Sequence, residues 1–421
     1  MTSLPHNRMT VRDLGYTPGQ LPVGEPTNSI LDVPDVHISQ VTAPTSKDLM
    51  EGSTATKGIT VISPRPPEEF YKPCHAGTFT FNGNGELTGS RQIANWGFIN
   101  TPIAFTNSLS LGTVFDGMWD WVMDEQEAMG WDDAMQSRHY GTPVVGETCD
   151  WIVNSEVRRS RLENEMVMRA FRGLHSKEDG AEVVEGQAGG GAGMTCHMFA
   201  GGTGTASRLV GGGGGSEREY TLSVLCQSNY GVLSELVVGG VPIGKLLQKG
   251  KEAANANNKS MDQGEARPDG NALSDSGGLG GRKKDGSILI LMITDAPLAT
   301  HQLQRLARHA TGGLVQVGSA GVGLTFSGDI FLAVSTAEHG PEQLVGSAFA
   351  RQKPTQTYTT EVVKNESIDS YFVACKEAVE EAILNSMVGG RDGVVAMDGS
   401  KVEGLPIDQV KDLLQQHLVK V

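Results

Sequence analysis

Cysteine is scarce in this sequence, and the cysteines present form no recognisable framework. The five are odd in number, widely spaced and contain no Cys-x-x-Cys pair. Disulfide-rich secreted domains and zinc sites both depend on closely spaced, paired cysteines. The pattern therefore argues against a disulfide scaffold or a zinc site. It predicts a protein of a reducing compartment, which we take to be the cytoplasm.

Positive charge and long apolar runs are also lacking. The net charge is −15 at pH 7, and the longest cationic runs are Arg158-Arg159 and Arg282-Lys283-Lys284. Such a surface repels nucleic acid and anionic membranes, so we expect neither as a partner. Residues 1–15 contain no apolar signal-peptide core. No apolar run reaches the roughly 18 residues that a membrane-spanning helix needs.

Several common catalytic and binding motifs are absent. No Gly-x-Ser-x-Gly elbow presents a serine to a Ser-His-Asp triad. The glycine-rich run 189–193 lacks the Gly-Lys-Ser/Thr ending of a phosphate-binding loop and an acidic ribose partner, so we interpret it as either a tightly packed turn or a flexible loop. His197 has no second metal ligand three or four residues away, which favours a packed histidine over a metal site.

Glycine, by contrast, is abundant, and it separates strand patterns from helix patterns. Apolar or alternating residues predict strands at 30–33, 58–63, 78–81, 143–150, 220–225, 288–293 and 330–334. Helical spacing predicts helices at 111–129, 156–172, 297–313, 368–387 and 407–418. The polar segment 248–284 predicts a disordered linker, because it has almost no large apolar residues to bury. The alternation favours layered sheets covered by helices.

A glycine-serine step stands directly before the most apolar of these strands. Gly286-Ser287 is either a turn that feeds a core strand or a nucleophilic serine that chain cleavage exposes. Ser327 and Asp329 lie two residues apart, so a strand would direct both to one face, although a turn is the alternative. Asn229 ends another predicted strand. There an amide serves either as a turn residue or as a donor to an oxyanion.

A series of short motifs runs in order along nearly the whole chain, and each of them alone is weakly specific. They are RDLG at 12–15, NGNGELTG at 82–89, TPI at 101–103 with TN at 106–107, PVVGET at 143–148, GMTCH at 193–197, GTASR at 204–208, QSNYG at 227–231, SILILMITDAPL at 287–298 with HQL at 301–303, SGDIF at 327–331 and GRDG at 390–393. Jointly, the series resembles the DmpA-type L-aminopeptidase/D-Ala-esterase/amidase and β-peptidyl aminopeptidase family. Members of that family are self-processing N-terminal-nucleophile hydrolases.

The resemblance implies an α+β fold, a four-layer αββα sandwich in which two stacked sheets lie between helical layers, as in ornithine acetyltransferase-like enzymes. The whole chain, 1–421, is then a single large domain. The family precursor cuts itself before its nucleophile, here between Gly286 and Ser287. This implies an α chain of residues 1–286, which includes the flexible linker 248–284, and a β chain of residues 287–421.

The resemblance also implies roles for particular residues. Ser287 is the nucleophile, and Asn229 donates a hydrogen bond to the oxyanion. Ser327 and Asp329 occupy positions where the family has a serine and an acid that assist, the acid often being glutamate. Once cleavage frees the α-amine of Ser287, that amine, with an unperturbed pKa of about 8, lies close enough to its own hydroxyl to take part in proton transfer.

Two features depart from the family pattern. Glu147 and Cys149 fall in the substrate and oxyanion region, where many members have an aromatic residue, often tyrosine, at the position of Cys149. The oxyanion then depends on Asn229 or another donor. The linker before the nucleophile is also longer than is typical, which bears on the efficiency of self-cleavage.

We therefore expect an aminopeptidase that releases N-terminal residues from short peptides, amides or esters through an acyl-Ser287 intermediate. By resemblance, it needs no metal or other cofactor and forms homo-oligomers, commonly tetramers. Two alternatives remain open at this stage. One is acyl transfer to an amine acceptor on the same fold, and the other is a non-catalytic relative that has kept the fold.

Overall fold

Two β-sheets stacked face to face form the centre of the structure. The computed structural model describes residues 8–43, 55–136, 141–212, 218–259, 286–318, 325–338, 355 and 357–419. In chain order its strands are β1 (His37–Ala43), β2 (Lys57–Ser63), β3 (Cys74–Gly83), β4 (Phe98–Ile99), β5 (Ile103–Asn107), β6 (Val144–Thr148), β7 (Thr195–Cys196), β8 (Phe199–Ala200), β9 (Gly202–Gly211), β10 (Glu219–Asn229), β11 (Ser287–Thr294), β12 (Gly328–Ser335), β13 (Val394–Val395) and β14 (Lys401–Val402).

Helices cover the outer faces of the two sheets. The α-helices are α1 (Ser90–Trp96), α2 (Leu111–Ala128), α3 (Asp133–Gln136), α4 (Asn164–Arg172), α5 (Ile243–Lys259), α6 (Thr300–Val317), α7 (Asp369–Gly389) and α8 (Ile407–His417). Short 3-10 helices span Val11–Leu14, Ile30–Asp32, Pro67–Glu69, Ser108–Ser110, Val157–Ser160, Gly189–Gly191, Leu233–Glu235 and Asn365–Ser367. Across the described ranges, no helix combines the length and apolarity needed to cross a membrane.

The apolar run that follows Gly286 forms β11, one of the two central strands of the larger sheet. The sheets have the strand orders β1-β2-β5-β6 and β4-β3-β12-β11-β10-β9. Within the larger sheet, β11 pairs antiparallel with β10 and parallel with β12. Both β11 and β12 are buried along their whole length, because each has a strand on both edges and a packed layer on both faces. This burial explains why their sequences lack polar alternation.

The side chains of β11 show how the layers are built. Leu289, Leu291 and Ile293 lie in the apolar layer between the two sheets. Ile288 and its alternate neighbours lie on the opposite face, in the layer shared with α6 and α7. A third layer joins the smaller sheet to α2 and α4. The predicted αββα sandwich is therefore confirmed. Because side chains alternate, Ser287 belongs to the face directed between the sheets.

Some predicted elements differ from the structure. Residues 30–33 were expected to form a strand, but Ile30–Asp32 is a 3-10 helix. There the Ser29 hydroxyl accepts from Leu31 N at 3.2 Å, and the Asp32 carboxylate accepts from Ser29 N at 2.8 Å. Such local side-chain bonds stabilise a turn at the expense of a strand. The predicted helices at 156–172 and 297–313 are confirmed over shorter or shifted spans, as α4 and α6.

The predicted disordered linker is wrong in its first part. Residues 248–259 continue helix α5, which packs against α8. The helix begins with the buried residues Ile243 and Leu247, and the following segment contains three lysines and three alanines, which favour a helix. The rest of the predicted linker, 260–284, lies outside the described residues.

Candidate active site

Ser287 begins β11 at one end of the larger sheet, between two neighbouring strands. Its Cα is paired with that of Asn229, the last residue of β10, and with that of Gly328, the first residue of β12. The Ser287 residue is 8% exposed. Three segments that are far apart in the sequence thus bring the predicted nucleophile, the predicted oxyanion donor and the Ser327–Asp329 segment to one place. Directly opposed residues point to the same face, so Asn229 and Ser287 both face the space between the sheets.

The peptide bond between Gly286 and Ser287 is enclosed by backbone. The carbonyl oxygen of Gly286 accepts a hydrogen bond from the N–H of Gly328 at 3.2 Å. A β carbon placed on Gly286 would lie 2.2 Å from Tyr230 Cα and 2.5 Å from the carbonyl oxygen of Asn229. Both distances are far below van der Waals contact, and the atoms met are backbone. Residue 286 therefore has room only for glycine, which the sequence alone did not reveal.

Ser327 and Asp329 are bonded to each other. The Ser327 hydroxyl donates to Asp329 Oδ1 at 2.9 Å, and both side chains are fully buried. The Ser327 carbonyl accepts from Asn84 N at 3.1 Å and from the side chain of Asn82. These bonds tie the segment before β12 to the turn after β3. Strand register thus brings the Ser327–Asp329 segment beside Ser287, with Gly328 opposite Ser287 and Asp329 opposite Ile288, and a second turn fixes its geometry.

Asn229 is held by two backbone groups on different segments. Its Nδ2 donates to the carbonyl oxygen of Cys149 at 2.6 Å, and its Oδ1 accepts from Thr195 N at 3.0 Å. Asn229 is therefore a strand residue, and the turn interpretation is wrong. The half-buried Cys149 enters this network through its carbonyl group. A backbone carbonyl is present whichever side chain stands at position 149.

Glu147 places a carboxyl group close to the same strand ends. Its Oε1 accepts from Glu86 N at 3.0 Å, and its Oε2 accepts from the Ser108 hydroxyl. Burial raises the pKa of Glu147, and the two hydrogen bonds oppose that rise. A β carbon placed on Gly85 would lie 3.3 Å from Glu147 Oε1 and 3.4 Å from Gly328 Cα. The carboxyl group is therefore a near neighbour of the β12 terminus.

Two buried residues beside the site were missed by the sequence analysis. Tyr230 follows Asn229, and among the described residues its fully buried hydroxyl has no hydrogen-bond partner. Burial raises the pKa of Tyr230 well above its usual value, and nearby Asp329 adds to the rise. Asp150 follows Cys149 and is 1% exposed. The only sequence signal was that each lies within or next to a motif, since neither has a distinctive spacing.

The glycine run and the histidine singled out in the sequence are structural. Gly189–Gly191 forms a 3-10 turn in which Gly190 N donates to the Thr60 hydroxyl at 3.0 Å. His197 is fully buried, and its Nδ1 lies 3.1 Å from the Val232 carbonyl oxygen. The packed interpretation therefore holds for both features. In the described part of the chain, no three His, Cys, Asp or Glu side chains cluster as a metal ion would require.

The carboxyl group of Asp150 lies at the centre of a buried amide cluster. Its Oδ2 accepts from Asn107 Nδ2 at 2.9 Å and from Asn154 Nδ2 at 2.7 Å. Burial raises the pKa of Asp150 from 3.8 to about 6, although the surrounding hydrogen bonds act against the shift. The folded protein therefore retains this proton at pH values where the unfolded chain has released it.

Asp150 thus makes a pH-dependent contribution to stability. Its raised pKa means that the free energy of unfolding falls as the pH rises from about 4 to about 6 and stays lower above that range. Because asparagine does not ionise, we expect Asp150→Asn to abolish this loss of stability at higher pH. The variant gains stability over the parent as the pH is raised from 4 to 8, by up to about 3 kcal/mol. Denaturant unfolding of both proteins across this range measures the gain, and a gain independent of pH contradicts the prediction.

Solved structures share this fold over nearly their whole length. A Burkholderia sp. β-aminopeptidase aligns with a TM-score of 0.77 and 35% identity, covering 98% of this chain and 100% of that one. The L-aminopeptidase D-Ala-esterase/amidase from Ochrobactrum anthropi aligns with a TM-score of 0.76 and 32% identity, covering 97% and 98%. It is described as a prototype for the serine aminopeptidases and a new variant among the Ntn hydrolase fold. The molecule is therefore an α+β protein with the Ntn hydrolase fold.

Sequence comparison assigns the family within this fold. The model of peptidase family S58 matches residues 28–401, and the chain belongs to that family. A β-peptidyl aminopeptidase, BapA, from Sphingosinicella microcystinivorans is 33% identical over 416 residues, which are 96% of this chain and 92% of the relative. A second BapA, from Sphingosinicella xenopeptidilytica, is 33% identical over 412 residues, covering 96% and 90%. The resemblance inferred from the motifs is confirmed, and the chain is a peptidase of the aminopeptidase type.

Proposed function

We propose that this protein is a self-processing aminopeptidase in which Ser287 is first the agent of chain cleavage and then the nucleophile. The observation that carries the proposal is the enclosure of the Gly286–Ser287 peptide bond at the ends of β10, β11 and β12. One backbone N–H points at the Gly286 carbonyl oxygen, at 3.2 Å. Asn229 and Gly328 are the strand neighbours of the same serine, and the buried Ser327–Asp329 pair stands on either side of Gly328.

Self-cleavage follows from this arrangement. The Ser287 hydroxyl oxygen attacks the Gly286 carbonyl carbon, and the negative charge that develops on the carbonyl oxygen faces the N–H of Gly328. The hydroxyl proton passes to the Ser287 nitrogen as the C–N bond breaks, which leaves an ester on the serine oxygen and a free α-amine on the same residue. Water hydrolyses the ester, so that one fragment ends in the Gly286 carboxylate and the other begins with Ser287.

The freed amine supplies the base for aminopeptidase turnover. With an unperturbed pKa of about 8, it accepts the proton of its own hydroxyl as that oxygen attacks the substrate carbonyl. Asn229 donates to the oxyanion, a contribution of roughly 3 to 4 kcal/mol in a comparable enzyme. Ser327 and Asp329 hold the amine in register with the hydroxyl. The leaving amine departs with the proton, and water then releases the acyl group from Ser287.

Glu147 gives the site its preference for a free N-terminus. Its carboxyl group lies near the start of β12, held by Glu86 N and the Ser108 hydroxyl. A substrate ammonium next to it forms a charge-assisted hydrogen bond and draws the carboxyl group into its ionised form. The substrates proposed are short peptides, amino-acid amides and esters with a free amine, including those with an N-terminal β-residue. The last class is the one named for the BapA relatives.

Intact-protein mass spectrometry tests the proposal. We expect purified protein to contain two fragments, residues 1–286 and a second fragment whose first residue is Ser287. Release of the N-terminal residue from a β-dipeptide or an amino-acid amide is followed on the same preparation. A chain that stays whole while turning such substrates over would contradict the amine-base mechanism. A cleaved chain whose turnover does not depend on Ser287 would contradict the role of that serine.

A further inference from the structure

The direction of the Asn229 amide depends on two distant stretches of backbone. Its Nδ2 is bonded to the carbonyl oxygen of Cys149 and its Oδ1 to the N–H of Thr195. An amide nitrogen carries two hydrogens, so the bond to Cys149 leaves one N–H to donate to an oxyanion. Where that N–H points is set by the positions of the two backbone groups. The direction of the amide therefore depends on the groups that hold Cys149 and Thr195 in place.

Next to Cys149, the Asp150 carboxyl group makes hydrogen bonds that restrain the backbone. Its Oδ2 accepts from Asn107, the last residue of β5, and from Asn154 in the loop that follows. The Asp150 carbonyl also accepts from Asn154 N at 2.9 Å. These bonds fix the backbone of residue 150, and with it the orientation of the peptide unit that begins at the Cys149 carbonyl.

The stretch that carries Thr195 N meets the same cluster. A β carbon placed on Gly193, two residues before Thr195, would lie 3.4 Å from the β carbon of Asp150 and 3.0 Å from Asn154 Nδ2. Gly193 adopts a left-handed conformation, with φ of 80°, which favours glycine and permits this close approach. Both backbone groups that hold Asn229 therefore lie on segments that pack together at Asp150.

The burial of Asp150 carries a cost in stability. The residue is 1% exposed, and the hydrogen bonds from Asn107 and Asn154 both fall on Oδ2. Burying a carboxyl group destabilises the fold, and it does so more strongly when the group is charged. The raised pKa of Asp150 has the same origin, because burial disfavours the charged carboxylate. A neutral residue would spare the fold this penalty.

We infer that Asp150 is a positioning residue for the reaction at Ser287. Its carboxyl group holds the Cys149 carbonyl and the segment of Thr195 N where they direct the Asn229 amide toward the oxyanion. The inference rests on the proposed function, in which Asn229 is the oxyanion donor. Asp150 itself touches neither the substrate nor the reacting atoms.

A double-mutant cycle tests this inference. We expect Asp150→Ala to lower kcat by about 100-fold with KM changed less than about threefold, since misplacing a catalytic group by about an ångström has an effect of this size. We expect Asp150→Asn, which keeps an acceptor oxygen for Asn107 and Asn154, to retain kcat within about fivefold. In an Asn229→Ala background, Asp150→Ala should have almost no further effect, because the group it positions is gone. Rates are normalised to the amount of cleaved chain.

Asp295→Ala is the matched control. Asp295 follows the opposite end of β11, its carboxyl group accepts from Thr221 N at 2.7 Å, and burial also raises its pKa. Its removal should leave kcat unchanged. Equal losses from Asp150→Ala in the wild-type and Asn229→Ala backgrounds would overturn the inference. If Asp150→Ala does not fold, Asn154→Ala, which removes one donor to the carboxyl group, is placed in the same cycle with the same expected non-additivity.

Ser287→Ala tests the proposed function separately. Residual turnover in that variant contradicts the proposed function, whatever the result for Asp150.

Discussion

Ser287→Ala is expected to remain one uncut chain and to lose turnover. Without the hydroxyl, nothing attacks the Gly286 carbonyl, so the amine that acts as base in the mature enzyme is never freed. The same substitution removes the nucleophile of the second reaction. Loss of a serine nucleophile costs about a million-fold in kcat in a well-studied serine protease, and we expect a loss of this order here. Denaturing electrophoresis and release of an N-terminal residue from an amide substrate measure the two effects.

A second buried serine on the neighbouring strand provides the control. Ser223 is fully buried on β10, and its Cα is paired with that of Ile293, six residues along β11 from Ser287. In the part of the chain described, its hydroxyl has no hydrogen-bond partner, so alanine removes little. Ser223→Ala should be cleaved and active like the parent. Cleavage at the normal position in Ser287→Ala would show that another group cuts the chain.

The layered architecture was accessible from the sequence because its strongest signals are apolar runs. Strand β11 is buried on both faces and therefore appears as an unbroken apolar stretch, whereas helices α2 and α6 carry the helical repeat. The element boundaries that failed depend on other forces. The 3-10 helix Ile30–Asp32 is stabilised by side-chain caps. Helix α5 extends a short apolar start through a polar stretch that composition alone assigned to disorder.

The sequence predicted the side chains of the candidate site but not the main-chain groups that orient them, and the reason is physical. The predicted residues Ser287, Asn229, Ser327 and Asp329 are recognised by side chain, and strand register brings them together. Their orientation, however, depends on the carbonyl of Cys149 and on other main-chain groups. Backbone groups are the same in every residue, so a sequence gives no sign of them. The carbonyl of Cys149 makes the contact with Asn229, so the departure from the family pattern at this position affects only what the side chain itself could contribute.

The main-chain atoms around Gly286 account for the second large effect that we expect, which is on the rate of self-cleavage. Gly286→Ala is expected to slow self-cleavage by at least about 100-fold, even though the serine and all of its partners are intact. The added β carbon would lie 2.2 Å from Tyr230 Cα and 2.5 Å from the Asn229 carbonyl oxygen, and a main chain held in a sheet cannot rotate away. The scissile carbonyl must shift by about an ångström, which moves it out of reach of the attacking hydroxyl and of the N–H of Gly328. A time course of chain cleavage after cell-free synthesis measures the rate.

Gly112→Ala separates this effect from the general consequences of replacing glycine. Gly112 lies in the first turn of α2, and a β carbon there would meet no atom within 4 Å. Alanine at that position should leave cleavage unchanged and stabilise the helix by up to about 1 kcal/mol. If Gly286→Ala is cut as fast as the parent, the peptide bond is not constrained as the structure indicates. If it stays whole but unfolds at the same temperature as Ser287→Ala, then the glycine serves the cleavage reaction, because the fold has tolerated the change and only the position of the carbonyl has been lost.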